Sequence, residues 1–299
     1  MHLTKRILVP LDGSERSELA LELAAPLLSS AQEVVELLRM VPPLPLASPL
    51  RPLRAGQEGH VEAERVAVLR ELREVSARFK SNQAESLGEF QVCARVGEPA
   101  GGIVDRAAEI QASLIVMATQ GSSGLTRWVR GSVAERVLRH TKTPLFLVQA
   151  QSTRPLKRIL VPLDGSEGSA AVLPFVEDLA KAFGSEVVLL HVGLNEGGEL
   201  STTPEGGVTR VTEALIREGL EPYRSGLERA GVVARTRALF GNPATKILET
   251  LKEIDLIAMT SHGRRGFDRW AFGSVAERVL RGCTLPLLLV PLRGRPEAP

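Results

Sequence analysis

Two stretches of this chain occur twice, and a duplicated chain folds as two similar units. Arg6-Ile-Leu-Val-Pro-Leu-Asp-Gly-Ser14 returns unchanged as residues 158–166, and Gly131-Ser-Val-Ala-Glu-Arg-Val-Leu-Arg139 returns unchanged as residues 273–281. The length of 299 residues suits two domains of about 150. The expected division is residues 1–150 and 151–299, joined by the polar linker Gln149-Ala-Gln-Ser-Thr-Arg-Pro155.

Each half alternates short apolar runs with helical patterns. The run ending at Pro10 reads as a buried strand, its proline placed where a missing N–H does no harm. Asp12-Gly13-Ser14 turns the chain into a helix in which Ala20, Leu23, Ala24, Leu27 and Leu28 share a face, and Pro26 should kink or end it early. Second strands are expected at Val34–Val41 and Glu186–Val192. The segments after them, 42–56 and 193–207, are loops of different chemistry, the first rich in Pro, Leu and Arg and the second in Gly, Glu and Thr. Long charged helices follow over about 58–82 and 208–230. Third strands near Phe90–Val96 and Val232–Phe240 stop at Gly97-Glu-Pro-Ala100 and Gly241-Asn-Pro-Ala244, with proline at the start of a helix. Leu114–Ala118 and Leu256–Thr260 are the fourth strands, and Pro144–Val148 and Pro286–Val290 the fifth.

Strands alternating with helices give an α/β fold with a parallel sheet covered on both faces. With right-handed crossovers, the expected architecture is two tandem doubly wound five-stranded sheets of order 3-2-1-4-5. That order sets strand one beside strand four. Open α/β sheets bind ligands in the crevice at such a switch point, here between Asp12 and Gly121 and between Asp164 and Gly263.

The residues at that crevice read as an anion cradle. A glycine after strand four lets the backbone approach a ligand closely, and the Gly131-Ser132 and Gly273-Ser274 pairs open helices whose first N–H groups attract negative charge. The plainer alternative is that these are loop glycines and serine N-caps. Asp12 and Asp164 are placed to accept hydrogen bonds from a ribose diol or an adenine amine, or simply to close an Asx-turn. Neither G-x-x-x-x-G-K-[ST] nor G-x-G-x-x-G occurs, and no triad or H-E-x-x-H is present. Glu135-Arg136 and Glu277-Arg278 read as dipole compensation on a solvated face, Trp128 and Trp270 as anchors of the loop, and His262, where the first half has Gln120, as a variable loop residue.

Charge excludes some partners. With 37 basic against 35 acidic residues the net charge is +2, which gives no nucleic-acid footprint; the one arginine cluster, Arg264, Arg265 and Arg269, flanks the second glycine loop. Cys93 and Cys283 have no metal or disulfide spacing and read as reduced thiols of a cytoplasmic protein. No apolar run reaches the roughly 18 residues of a membrane span, and the chain enters a strand too soon for a signal peptide.

Ile-Leu-Val-Pro-Leu-Asp-Gly-Ser, Gly-x-Pro-Ala, and Gly121 or Gly263 followed by Gly131-Ser132 or Gly273-Ser274 together resemble the universal stress protein family, in its ATP-binding branch and as a tandem pair. The resemblance covers nearly the whole chain. It implies ATP, ADP or AMP, with or without magnesium, held by Pro10, Asp12, Met40, Ala118, Gly121, Gly131, Ser132 and Val133 in the first half and by Pro162, Asp164, Val192, Thr260, Gly263, Arg264, Gly273, Ser274 and Val275 in the second. Met40 and Val192 would contribute backbone contacts from the end of strand two. The family's first loop glycine is Ala118 in one half and Thr260 in the other, and a threonine suits positive φ poorly, although its hydroxyl could reach a nucleotide. The family also implies pairing through the fifth strands, Leu145–Val148 with Leu287–Val290, making one chain a pseudo-twofold dimer, with a homodimer as a further option. The resulting expectation is a nucleotide-dependent stress regulator read by a protein partner. The alternatives are a slow magnesium-dependent ATPase or phosphotransferase, and a nucleotide-free scaffold.

Overall fold

The computed structural model describes residues 6–28, 32–43, 57–82, 88–119, 132–149, 155–193, 207–262 and 272–292. These residues fall into two compact units, one drawn from residues 3–150 and the other from 151–299.

In the first unit the elements follow the alternating pattern of the sequence: β1 (Arg6–Pro10), α1 (Glu15–Ala24), β2 (Val34–Val41), α2 (Gln57–Asn82), β3 (Glu89–Val96), α3 (Pro99–Glu109), β4 (Leu114–Ala118), α4 (Ser132–His140) and β5 (Leu145–Val148). The sheet order is β3-β2-β1-β4-β5, all parallel. The strand centres carry the core. Ile7, Leu8, Val9, Leu114, Ile115 and Val116 are completely buried, as a sheet covered on both faces requires. Pro26 acts as expected: α1 gives way after Ala24 to a 3-10 turn, Ala25–Leu27. Gly97 closes β3 at φ +155, and Pro99 opens α3.

The second unit comprises β6 (Arg158–Pro162), α5 (Glu167–Ala170), α6 (Leu173–Phe183), β7 (Glu186–Gly193), α7 (Gly207–Arg229), β8 (Ala234–Phe240), α8 (Pro243–Thr250), β9 (Leu256–Thr260), α9 (Ser274–Gly282) and β10 (Leu287–Val290). Its sheet order, β8-β7-β6-β9-β10, matches the first. The first helix of the repeat is broken here into α5 and α6, because Pro174 sits in the first turn of α6, where its ring and missing N–H forbid an uninterrupted helix. The third strand begins at Ala234, two residues later than the sequence pattern suggests, and Val233 is 62% exposed.

Helix α7 contains Pro222 and, three residues before it, Gly219, around which a Cβ would meet nothing within 4 Å. Glycine in a helix interior costs about 0.5–1 kcal/mol relative to alanine. Gly219→Ala should therefore stabilise the protein by up to about 1 kcal/mol, read as a higher denaturation midpoint at unchanged m-value. A loss of stability would mean that the helix around Pro222 needs the glycine.

Candidate functional site

The Asp-Gly-Ser turn is built identically in both units. After β1, the Leu11 N–H donates to Leu38 O at 2.8 Å, and Gly13 takes φ +88, a left-handed conformation that suits glycine. The Ser14 N–H and hydroxyl both donate to Asp12 Oδ1, at 2.9 and 2.6 Å. Ser14 Oγ in turn accepts from the Ser17 N–H at 3.2 Å, capping α1. The Ser17 hydroxyl donates to Ser14 O at 2.7 Å and accepts from the Asp12 N–H at 3.4 Å. In the second unit Asp164, Gly165 (φ +82), Ser166 and Ser169 repeat every one of these bonds within 0.1 Å.

The Asx-turn reading of the aspartates is therefore correct. Only Oδ1 of Asp12 is used; among the described residues no donor reaches Oδ2. The side chain is exposed. Partial burial pushes its carboxyl up, but the Ser14 hydroxyl and N–H and the Ser17 hydroxyl outweigh it and hold Asp12 below the usual carboxylate range. It is an ionised acceptor at neutral pH.

Strand β1 lies beside β4 and β6 beside β9, so each aspartate stands at the carboxyl end of the strand next to the one that leads into the glycine loop. In the second unit β9 and α9 are drawn together across that loop. The Ser261 N–H donates to Val290 O at 3.0 Å, and the Gly273 N–H donates to Ser261 O at 3.0 Å. The Ser261 hydroxyl lies 3.0 Å from His262 Nδ1 and accepts from the Leu292 N–H at 3.3 Å. Gly273, not Ser274, is the N-cap, at φ −59 and ψ 146, and it supplies no side-chain cap bond. Ser274, exposed, and Val275, half-buried, form the first turn. This end of α9 thus begins without the serine cap that the plainer reading predicts.

Thr260 corrects a concern raised by the sequence. It is the last residue of β9, buried, and its hydroxyl donates to His262 O at 2.8 Å. Gln111 is the one non-glycine at positive φ among the described residues, so neither Ala118 nor Thr260 has to adopt a glycine conformation. The Thr260 hydroxyl is already engaged.

Pro10 and Pro162 end β1 and β6, half-buried. Met40 lies on β2, its methyl packed so closely over Gly102 that a Cβ there would lie 2.1 Å away; Val192 holds the matching place on β7. Ser132 and Val133 begin α4. Gly121, Gly131, Gly263 and Arg264, like Trp128 and Trp270, lie outside the described residues. Among the described residues no three His, Cys, Asp or Glu are grouped to hold a metal ion, and no helix is long and apolar enough to cross a membrane.

Part of the repeated nine-residue stretch proves structural. Arg139 pairs with Glu135 at 2.9 Å and Arg281 with Glu277 at 2.6 Å, one turn apart. Arg136 reaches Glu98 at 2.8 Å, and Glu98 caps α3 by accepting from the Ala100 and Gly101 N–H groups at 3.1 and 2.7 Å. Arg278 approaches Asn242 Oδ1, the cap of α8, at 3.5 Å. The sequence reading missed this use of Glu98 and Asn242, although both precede the prolines it had marked. It also missed Arg39 and His191, whose signal was a basic residue at the same place in two largely apolar strands.

The model of the universal stress protein family matches residues 4–149 and again 155–291. A universal stress protein of Mycolicibacterium smegmatis is 28% identical over 299 residues, covering 95% of this chain and 96% of that protein. One of Methanocaldococcus jannaschii is 34% identical over 139 residues, 45% of this chain and 81% of the relative. Among solved structures, a universal stress protein of Archaeoglobus fulgidus superposes with a TM-score of 0.64 at 23% identity, covering 96% of this chain and 98% of that one.

Proposed function

The chain belongs to the universal stress protein family, and we propose that it is an adenine-nucleotide-binding regulator of the stress response whose occupied state is read by a protein partner. The observation that carries this reading is the second unit's crevice. There Gly273 is bonded to Ser261 at the end of β9, so the uncapped first turn of α9 stands at the mouth of the strand beside the Asp164 turn. The residues fit a nucleotide. Asp12 offers a sugar hydroxyl an ionised oxygen that no donor among the described residues reaches, and the α9 first turn offers N–H groups to phosphate. Met40 and Val192, at the end of β2 and β7, would offer backbone groups to the base. Gly121, Gly131 and Ser132, and Gly263, Arg264, Gly273 and Ser274, would complete the two cradles. The bound nucleotide supplies a polyanion and a flat base; the chain's part is to orient them, and this reading assigns no side chain the proton transfer that efficient turnover needs.

The test is calorimetric titration of nucleotide-stripped protein with ATP, ADP and AMP, on wild type, Gly131→Val and Gly273→Val. Micromolar binding corresponds to about −8 kcal/mol. The expected result is binding by wild type, with each valine variant folded and short of its own site. Folded wild type that gives neither heat nor a thermal shift with any of the three overturns the reading.

A further inference from the structure

Arg39 and His191 occupy one register position, directly after the pairs Pro10↔Leu38 on β2 and Pro162↔Leu190 on β7. Each lies against an aspartate turn, by a different contact. The Arg39 guanidinium is pressed against Gly13, where a Cβ would stand 2.0 Å from Nη2. Its Nη1 donates to Glu71 at 2.5 Å, its side chain is only 17% exposed, and its Nε is buried with no partner among the described residues. A cavity of 180 Å³ lies alongside, walled in part by Gly13, Ser17, Arg39, Glu71 and Arg78. In the second unit, His191 Nδ1 is 2.8 Å from Leu163 O, the carbonyl immediately before Asp164. A carbonyl only accepts, so this nitrogen carries the proton.

Packing alone does not account for the pair. A buried donor without an acceptor costs free energy, and an apolar side chain would fill a strand position without that cost. What the two residues share is the turn they touch. Arg39 abuts the residue after Asp12, and His191 bonds the residue before Asp164.

We propose that Arg39 and His191 are the positioning residues of the two nucleotide sites, bracing each Asp-Gly-Ser turn so that its carboxylate meets the sugar hydroxyls of the bound nucleotide. This rests on the nucleotide reading above. The two sites then present the same aspartate on different supports, a packed guanidinium in one and a single hydrogen bond in the other.

The ratio of the Kd of 2′-deoxy-ATP to that of ATP reads the aspartate's placement, and a general loss of stability does not move it. It is measured at each site that binds, in the Gly273→Val background for the first half and the Gly131→Val background for the second. A hydrogen bond to a charged acceptor makes the ratio about tenfold or more. Arg39→Ala and His191→Ala should each bring it toward one at their own site, and Arg39→His, which imports the second unit's support, should keep it. If Arg39→Ala does not fold, Glu71→Gln loosens the same brace from an exposed residue. Ratios unchanged in Arg39→Ala or Glu71→Gln, and in His191→Ala, overturn the proposal while leaving nucleotide binding intact. Wild type that binds no ATP overturns the nucleotide reading, and this proposal with it.

Discussion

Arg106→Met should destabilise the first unit by about 3–5 kcal/mol, the usual cost of stranding one member of a buried ion pair. Its partner Glu36 is 1% exposed and lies on β2. Arg106, on α3, binds it with both arms of the guanidinium, Nε to Oε1 at 2.7 Å and Nη2 to Oε2 at 3.0 Å. Glu109 and Arg95 extend the network, with Arg106 Nη1 donating to Glu109 at 3.1 Å and Arg95 Nη1 donating to it at 2.8 Å. Methionine fills the stem's volume and removes the charge, so a carboxylate with little access to water is left alone.

The second unit shows how the same place can be filled without charge. Glu36 stands opposite Leu8, and the residue opposite the matching Leu160 is Val188. Seven residues after the proline that opens α8, where α3 has Arg106, stands Thr250, whose hydroxyl is satisfied by Lys246 O at 2.8 Å. The double variant Glu36→Val/Arg106→Met should accordingly recover most of the loss, since an apolar replacement of a buried pair is often neutral or better. Denaturant midpoints give the magnitudes, and hydrogen exchange gives the location: faster in β2 and β3, unchanged in β7 and β8. A cost under about 1 kcal/mol for the single variant would mean that Glu36 is solvated and that the pair behaves as a surface one.

This pair marks where sequence reasoning runs out. Gly, Pro and apolar periodicity are local signals, and they located β2 to the residue, the break at Pro26 and the proline starts of α3 and α8. Strand order followed from alternation and handedness. Glu36 drew no reading within its largely apolar run because its partner is 70 positions away. Arg39 was opaque for the same reason, since the turn it touches belongs to a different strand connection. At the site, the aspartate turn was legible as two competing roles. In the first unit the two are compatible, because the turn's bonds fall on one oxygen of Asp12. The plainer alternative made Ser274 a cap because serine is common there; the extended ψ of Gly273 shows the cap one residue earlier. Thr260 was judged by a glycine's conformational need, but the strand runs on through it.

Gly13→Val should cost about 2–4 kcal/mol, from two sources that can be separated. The first is backbone. At φ +88 a left-handed L-residue loses about 1–2 kcal/mol, and a β-branched one fits worse. The second is contact, because the new Cβ would lie 2.0 Å from Arg39 Nη2 and 2.7 Å from Cζ. A flexible side chain often yields to such a clash at little cost, but this one is tied to Glu71 and mostly buried. A double-mutant cycle of Gly13→Val with Arg39→Ala divides the sum. The cost that survives in the Arg39→Ala background is the turn's own, and a coupling of more than about 0.5 kcal/mol is the contact. A coupling near zero would mean that Arg39 moves aside freely, and a guanidinium that moves freely cannot brace the aspartate beside it. The stability cycle and the deoxynucleotide ratio therefore test one contact by independent readouts. Since Ser14 reaches Asp12 only through this turn, a valine that relaxes the turn should also release the carboxylate, so that Asp12 titrates closer to an ordinary aspartate.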